Sequence, residues 1–278
     1  MQAAKTQGRP AAFFDLDRTL MAGSSGMHFG RAAYNAGWVG RRDMVRFGLE
    51  HLRFRLRGST DEGTRALLAE VTESLHGVKD RDLRRMAPEV LAGVLPRIYP
   101  QMLEEVHAHQ DAGRPTFIVS AAADGMVRLL AEVLGMEGGV GTRYEVGEDG
   151  AYTGRLDGHF MYGEGKEKAL ERFAEEHGID LAESWAYSDS ASDLPMLRAV
   201  GTPVAVSPDA ELAAVAAEEG WQVMRFERLG RRLKIAGTTL AAAAIGGMGT
   251  AFASRRGASR RAARLRPARL AGSRIRGR

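Results

Sequence analysis

The stretch AAFFDLDRTL, residues 11–20, constrains this chain more than any other. Its four leading apolar residues read as a short buried strand. Two aspartates then follow one residue apart, Asp15 and Asp17. Aspartate is a poor strand former, and two together beside a buried strand are costly unless something compensates them. In an open parallel sheet, ligands bind beyond the carboxyl ends of the strands, and Asp15 falls at such an end. In an extended conformation Asp15 and Asp17 point the same way, with Leu16 turned toward the core. Two carboxylates at one site repel unless a cation sits between them or one keeps a proton.

The rest of the chain supplies the sheet that this strand needs. A turn signal, GSSG at 23–26, is followed by residues that read as helical from 27 to about 110, with no strand signal. RPTFIVSAA, 114–122, is then a compact apolar run ending in Ser120, with a helix predicted over about 124–135. Residues 140–158 alternate around GEDG and predict a β-hairpin. EGKEKALERFAEEHG predicts a helix, SWAYSD a strand, SDLPMLRAV a short helix, GTPVAVSPD a strand, ELAAVAAEEGW a helix and QVMRF a last strand. Repeated short strands, each followed by a helix, predict an α/β fold with a Rossmann-like, doubly wound parallel sheet. The expected core is residues 1–21 with 102–232, the expected all-helical cap is 22–101, and 233–278 stand apart.

Further polar groups fall at predicted strand ends. Asp189 and Asp193 share the loop after WAY, and a spacing of four leading into a helix can aim both at one ion. Ser120 ends the second strand, before a helix whose amides could bind a phosphate oxygen. Lys166 opens a helix behind GEG and is preferred to Lys168 because it follows the glycine turn directly. Acids, a hydroxyl and an ammonium together fit a phosphate-plus-metal site, and Mg²⁺ takes such oxygen ligands. GEGKEK is not a P-loop, because Phe160 stands at the first glycine and Glu167 at the Ser/Thr. His107 and His109, two apart on a helix, do not form a metal pair. Trp185 and Trp221 read as core, and the arginines at 41, 42, 46, 53, 55 and 57 as a solvated helix face.

DLDRT, Ser120, Lys166 and DSASD resemble, in order, the four motifs of the haloacid dehalogenase superfamily phosphatases. The helical insert after the first motif and the later hairpin resemble the phosphoserine phosphatase-like branch, subfamily IB. The resemblance spans about residues 10–226. It implies Asp15 as nucleophile forming an aspartyl-phosphate, Asp17 as general acid and base, and Ser120 and Lys166 as phosphate-binding groups. It also implies Mg²⁺ held by Asp15, the Asp17 carbonyl, Asp189 and Asp193, the last directly, through water, or by holding Lys166 instead. Phosphoserine phosphatases carry a glutamate nine residues after the nucleophile, which reads the substrate amine; here that residue is Ser24. Ser192 stands where asparagine is usual, and SAAADG replaces a glycine-bearing second motif. The expected activity is therefore hydrolysis of a small phosphorylated metabolite, with phosphoserine phosphatase as the nearest alternative.

Composition narrows the rivals. There is no cysteine, which excludes disulfides, zinc-thiolate sites and thiol catalysis. The first ten residues are polar and show no secretory h-region, so a cytoplasmic protein is expected. Residues 254–278 hold ten arginines and no acid, so the net charge of +4 becomes −6 once those ten are set aside. Residues 235–253 form a 19-residue stretch without charge, about the length of a membrane span. Its small residues and basic flanks leave two readings open. One is an anchor for anionic membrane lipid through residues 235–278, on the cytoplasmic face, which would suit a lipid-phosphate phosphatase. The other is a solvated tail. A non-catalytic membrane- or nucleic-acid-binding protein using the tail is the rival from another class; nucleic acid is not the expected partner, because the four motifs are intact.

Overall fold

The structure, a computed structural model, describes residues 8–40, 42, 68, 69 and 71–226. The chain divides at Phe226, with residues 227–278 forming a second unit outside the described residues. The apolar stretch 235–253 and the arginine tail lie there, and among the described residues no helix is long and apolar enough to cross a membrane. The predicted helices between 43 and 67, and the arginines at 41, 46, 53, 55 and 57, also lie outside the described residues; Arg42 is exposed.

Strand β1 is Ala12–Asp15, followed by α1, Ser25–Asn35. Two short helices, α2 (Asp80–Arg85) and α3 (Ala87–Val94), lead to α4, Pro100–Asp111. Then come β2 (Thr116–Ala123), α5 (Asp124–Val133) and β3 (Gly138–Thr142). A separate antiparallel hairpin follows, β4 (Tyr144–Val146) and β5 (Tyr152–Leu156). The chain returns through α6 (Glu164–His177), β6 (Trp185–Ser188), α7 (Leu194–Arg198), β7 (Thr202–Val206), α8 (Ala210–Glu218) and β8 (Gln222–Met224). The main sheet has six parallel strands in the order β3-β2-β1-β6-β7-β8. The α/β, doubly wound expectation holds.

β1 is central, and strand alternation explains why its run is apolar without a break. Phe14 turns to the face covered by Val106, Val127 and Leu130, and stacks on Tyr187 at 4.5 Å. Phe13 turns to the other face, among Leu170, Leu197 and Leu212, and stacks on Phe117 at 5.6 Å. Both phenylalanines are fully buried, which stabilises the fold by about 2–3 kcal/mol each.

Two sequence expectations are corrected. Residues 140–142, at the start of the predicted hairpin, belong instead to β3, the edge strand beside β2. Three glycines among five residues gave this strand no periodic signal, and it is held by its neighbour's backbone. β2 also runs past Ser120 to Ala123, so Ser120 does not border the following helix, which opens four residues later at Asp124.

The insert joins the core at one crossing. Tyr99 N–H donates to the Leu20 carbonyl at 2.9 Å, Ala22 N–H donates to the Arg97 carbonyl at 2.8 Å, and Met21 pairs antiparallel with Ile98. The outgoing and returning chains therefore run side by side. α1 and α3 approach closely at Gly93, where a Cβ would collide with the His28 ring. The hairpin docks on the segment before α2, through Gly77 N–H to the Tyr152 carbonyl, Tyr152 N–H to the Val78 carbonyl, both 2.9 Å, and the Tyr152 hydroxyl to Asp80.

Candidate active site

Asp15 is the last residue of β1 and pairs in register with Val119 of β2. Alternation gives it the Phe13 face of the sheet, which α6 covers. Along α6 the buried residues are Lys166, Leu170 and Ala174, a stripe at spacing four. Leu170 and Ala174 pack with Phe13 in one apolar cluster. That stripe aims Lys166 at the end of β1. Gly165, just before it, lies so close to the Phe160 carbonyl that a Cβ would not fit. Lys168 is off the stripe, exposed, and paired with Glu164 on the surface. The choice of Lys166 over Lys168 agrees with this geometry.

Lys166 Nζ donates to Asp15 Oδ1 at 2.6 Å and to Asp193 Oδ2 at 2.8 Å, and all three residues are buried. Asp193 Oδ2 also accepts from the Ser188 hydroxyl at 2.7 Å. Of the arrangements expected for Asp193, the one observed is the lysine-holding one. Asp193 also stands at the N-cap position of α7 but makes no side-chain cap. Ser192 is turned to Ser190, Oγ to Oγ at 3.0 Å.

Asp189 follows β6 and is 5% exposed. Its Oδ2 accepts from Arg18 Nε at 2.9 Å. Asp17 lies in the turn after β1, where its Oδ2 accepts from the Ser24 hydroxyl and its Oδ1 from Ser25 N–H, both 2.8 Å. The first turn of α1 therefore fixes this carboxylate. Ser120 is buried one residue beyond the register partner of Asp15, and its hydroxyl accepts from Ala122 N–H at 3.2 Å.

Electrostatics mark the same place. Burial pushes Asp15 up to about 6 against the pull of Lys166, with Asp193 adding to the rise. Burial, and then the nearby Asp15 charge, push Asp189 up to about 8, against Arg18. Burial works against the Lys166 ammonium, but Asp15 and Asp193 outweigh it and hold its pKa above the ordinary lysine value. Three buried carboxylates face one buried ammonium and one half-exposed guanidinium, so the site holds more carboxylates than cations. That donor set fits a hard divalent cation. Among the described residues no group of three or more His, Cys, Asp and Glu side chains forms a ready metal cage. Mg²⁺ needs no such cage: one or two carboxylates, with carbonyl and water, are its usual ligands.

Four positioning contacts had no sequence signal. Arg18 on Asp189 joins two strand ends far apart in the chain, while Ser24 on Asp17 and Ser188 on Asp193 close within single loops, seven and five residues apart. The fourth is Asp209, ahead of α8, which caps Leu212 N–H with Oδ1 at 2.8 Å and accepts Ala191 N–H with Oδ2 at 3.0 Å. Its own N–H donates to the Asp189 carbonyl at 2.9 Å, so it ties down both ends of the acid loop. Its place before ELAAV marks it as a helix cap in the sequence, but not its grip on that loop. A cavity of about 790 Å³ opens beside β3, lined by residues such as Arg128, Gly139, Arg143 and Phe173; none of the six candidate residues lines it.

Fold and site together define an α/β enzyme with its polar centre at the carboxyl ends of parallel strands. The chain belongs to the haloacid dehalogenase-like hydrolase family, whose model matches residues 12–198. It is 36% identical over 252 residues to a Mycobacterium tuberculosis protein named phosphoserine phosphatase SerB1, covering 88% of this chain and 80% of that one. It is 33% identical over 220 residues to a Neisseria meningitidis protein named histidinol-phosphatase, covering 78% and 98%. A solved structure of a Bordetella pertussis protein of unknown function superposes with a TM-score of 0.68 at 27% identity, covering 78% of this chain and 98% of that one.

Proposed function

We propose that the chain is a Mg²⁺-dependent phosphomonoester hydrolase that acts on a small phosphorylated metabolite. The observation that carries this reading is the buried Lys166 bridging Asp15 and Asp193 at the mouth of the sheet. Asp15 Oδ attacks phosphorus, the ester oxygen leaves with a proton from Asp17, and an aspartyl-phosphate forms. Water then attacks phosphorus while Asp17 takes its proton, which releases phosphate and restores Asp15. Ser24 and Ser25 hold Asp17 in place for both transfers. Lys166 stabilises the charge that builds on the phosphoryl oxygens, and Ser120 binds one of them. Asp15, Asp189 and the Asp17 carbonyl are the groups that would hold Mg²⁺, which would offset phosphoryl charge. The insert, entered near residue 22 and left near 98, would act as a cap that excludes water from the site during turnover.

The names of the relatives support a phosphatase and differ on the alcohol. Phosphoserine is the second reading, favoured by the mycobacterial relative's name. Ser24, at the position where an amine-reading glutamate is expected, is instead engaged with Asp17. Tethering to anionic lipid through residues 235–278 rests on their composition alone.

The test is phosphate release by purified protein, with and without Mg²⁺, from phosphoserine, histidinol phosphate, sugar phosphates, nucleotides and lysophosphatidate. Magnesium-dependent turnover on at least one ester, abolished in Asp15→Asn, is expected. Turnover that survives Asp15→Asn would remove the aspartyl-phosphate, and a folded, metal-loaded protein inert on every ester would remove the phosphatase reading.

A further inference from the structure

Arg18 lies in the turn between Asp17 and Thr19 with φ of 64°, in the left-handed region. A side chain there costs on the order of 1 kcal/mol, and glycine or asparagine is the easier choice. This chain nevertheless places an arginine there, and its Nε reaches Asp189 Oδ2 at 2.9 Å. The two ends of that pair differ: the Asp189 side chain is 7% exposed and that of Arg18 is 46% exposed. Lys166 is committed to Asp15 and Asp193, which leaves Arg18 as the cation on Asp189. The contact runs through Nε, and the half-exposed guanidinium is weakly hydrated and free to leave on the solvent side.

We propose that Arg18 is an exchangeable counter-ion of Asp189 that a divalent cation displaces, so that the chain's Mg²⁺ affinity is set by competition with its own arginine. This rests on the reading of Asp189 as a metal ligand. A guanidinium brings one delocalised charge to the Asp189 oxygen, and Mg²⁺ brings two to the same atom. With Arg18 in place, the metal must release an ion pair before it binds. With Arg18 removed, Asp189 stands open. The strain at φ of 64° is present with and without metal, so relieving it leaves the binding equilibrium unchanged.

The test is calorimetric titration of the full chain with MgCl₂, as wild type, Arg18→Gly and Arg18→Asn, both replacements suiting the left-handed turn. Each variant is expected to bind Mg²⁺ about tenfold more tightly than wild type. In wild type carrying ¹⁵N-arginine, the Arg18 Nε–H resonance, assigned by its loss in Arg18→Gly, is expected to shift as Mg²⁺ saturates. Equal or weaker affinity in both variants overturns the proposal, and so does a resonance that stays in place at saturation, since that would mean long-range repulsion without displacement. Absence of binding heat in all three proteins would overturn Asp189 as a metal ligand and this proposal with it. Measurable binding with no difference between variants overturns this proposal alone.

Discussion

Lys166 satisfies two carboxylates at once, and neither has another ammonium beside it among the described residues. Lys166→Met would leave Asp15 and Asp193 buried without their cation, a loss of about 3–5 kcal/mol. Urea unfolding should show that loss, and phosphate release should fall by roughly 10²–10³. A stable but inactive variant would assign Lys166 to chemistry alone. A second buried group sits on the opposite face of the sheet. The Arg114 guanidinium donates to His109 Nδ1 at 2.8 Å, so the imidazole proton is on Nε2, which donates to the Tyr187 hydroxyl at 2.8 Å. Burial, then Arg114, lowers His109 to about 4 from an ordinary value near 6.5. The folded state thus binds fewer protons than the unfolded chain between those values. The stabilisation is complete above about 6.5 and is lost as pH falls through 4, amounting to roughly 3 kcal/mol. Melting temperature should therefore drop between pH 7 and pH 4, and less steeply in His109→Gln. Parallel curves would place the acid sensitivity elsewhere. Both residues could be singled out in the sequence, Lys166 for its glycine turn; the resemblance allowed for Asp193 as a partner of Lys166, but the Asp15 contact, 151 positions away, and the partners of His109 had no signal.

At the scale of elements, the acid loop after β6 is held by α8 as much as by its own turn. Asp209→Ala would remove the cap on Leu212 and the acceptor for Ala191 N–H together. A cap alone is worth about 1 kcal/mol, or 2–4 °C for a domain of this size. The larger expected effect is on turnover, because Asp189 and Asp193 flank the freed amide. kcat should fall at least tenfold, an order-of-magnitude figure for a misplaced site, with KM little changed. A loss confined to KM would mean that the loop positions substrate and not the reacting groups. The elements themselves were legible wherever composition carried a period. The stripe of α6 and the runs of β1, β2, β6 and β7 announced themselves. β3 did not, since GGVGT has no pattern of its own and becomes a strand only because β2 offers it a parallel partner.

For the whole molecule, the division at Phe226 places every candidate site residue in one unit. Truncation after residue 232 should leave Mg²⁺-dependent hydrolysis of a water-soluble ester within about twofold of the full chain, an order-of-magnitude tolerance for a change that removes none of the candidate site residues. Loss of activity on truncation would tie the tail to the site. Binding of the full chain to vesicles of anionic lipid, lost on truncation, would give the tail its own role. The sequence by itself determined the class of fold, since short apolar runs, each followed by a helix, bury both faces of a parallel α/β sheet. It also determined which residues are chemically conspicuous, because carboxylates at the end of an apolar strand need a reason. The tertiary structure alone decided how they pair. Asp193 holds Lys166 and Arg18 takes Asp189, contacts that depend on which strand ends the sheet order makes neighbours, while Ser24 takes Asp17 within the turn that leads from β1 into α1. Sequence spacing fixes directions along one element, but distances between elements are fixed only when the two faces of the sheet have packed.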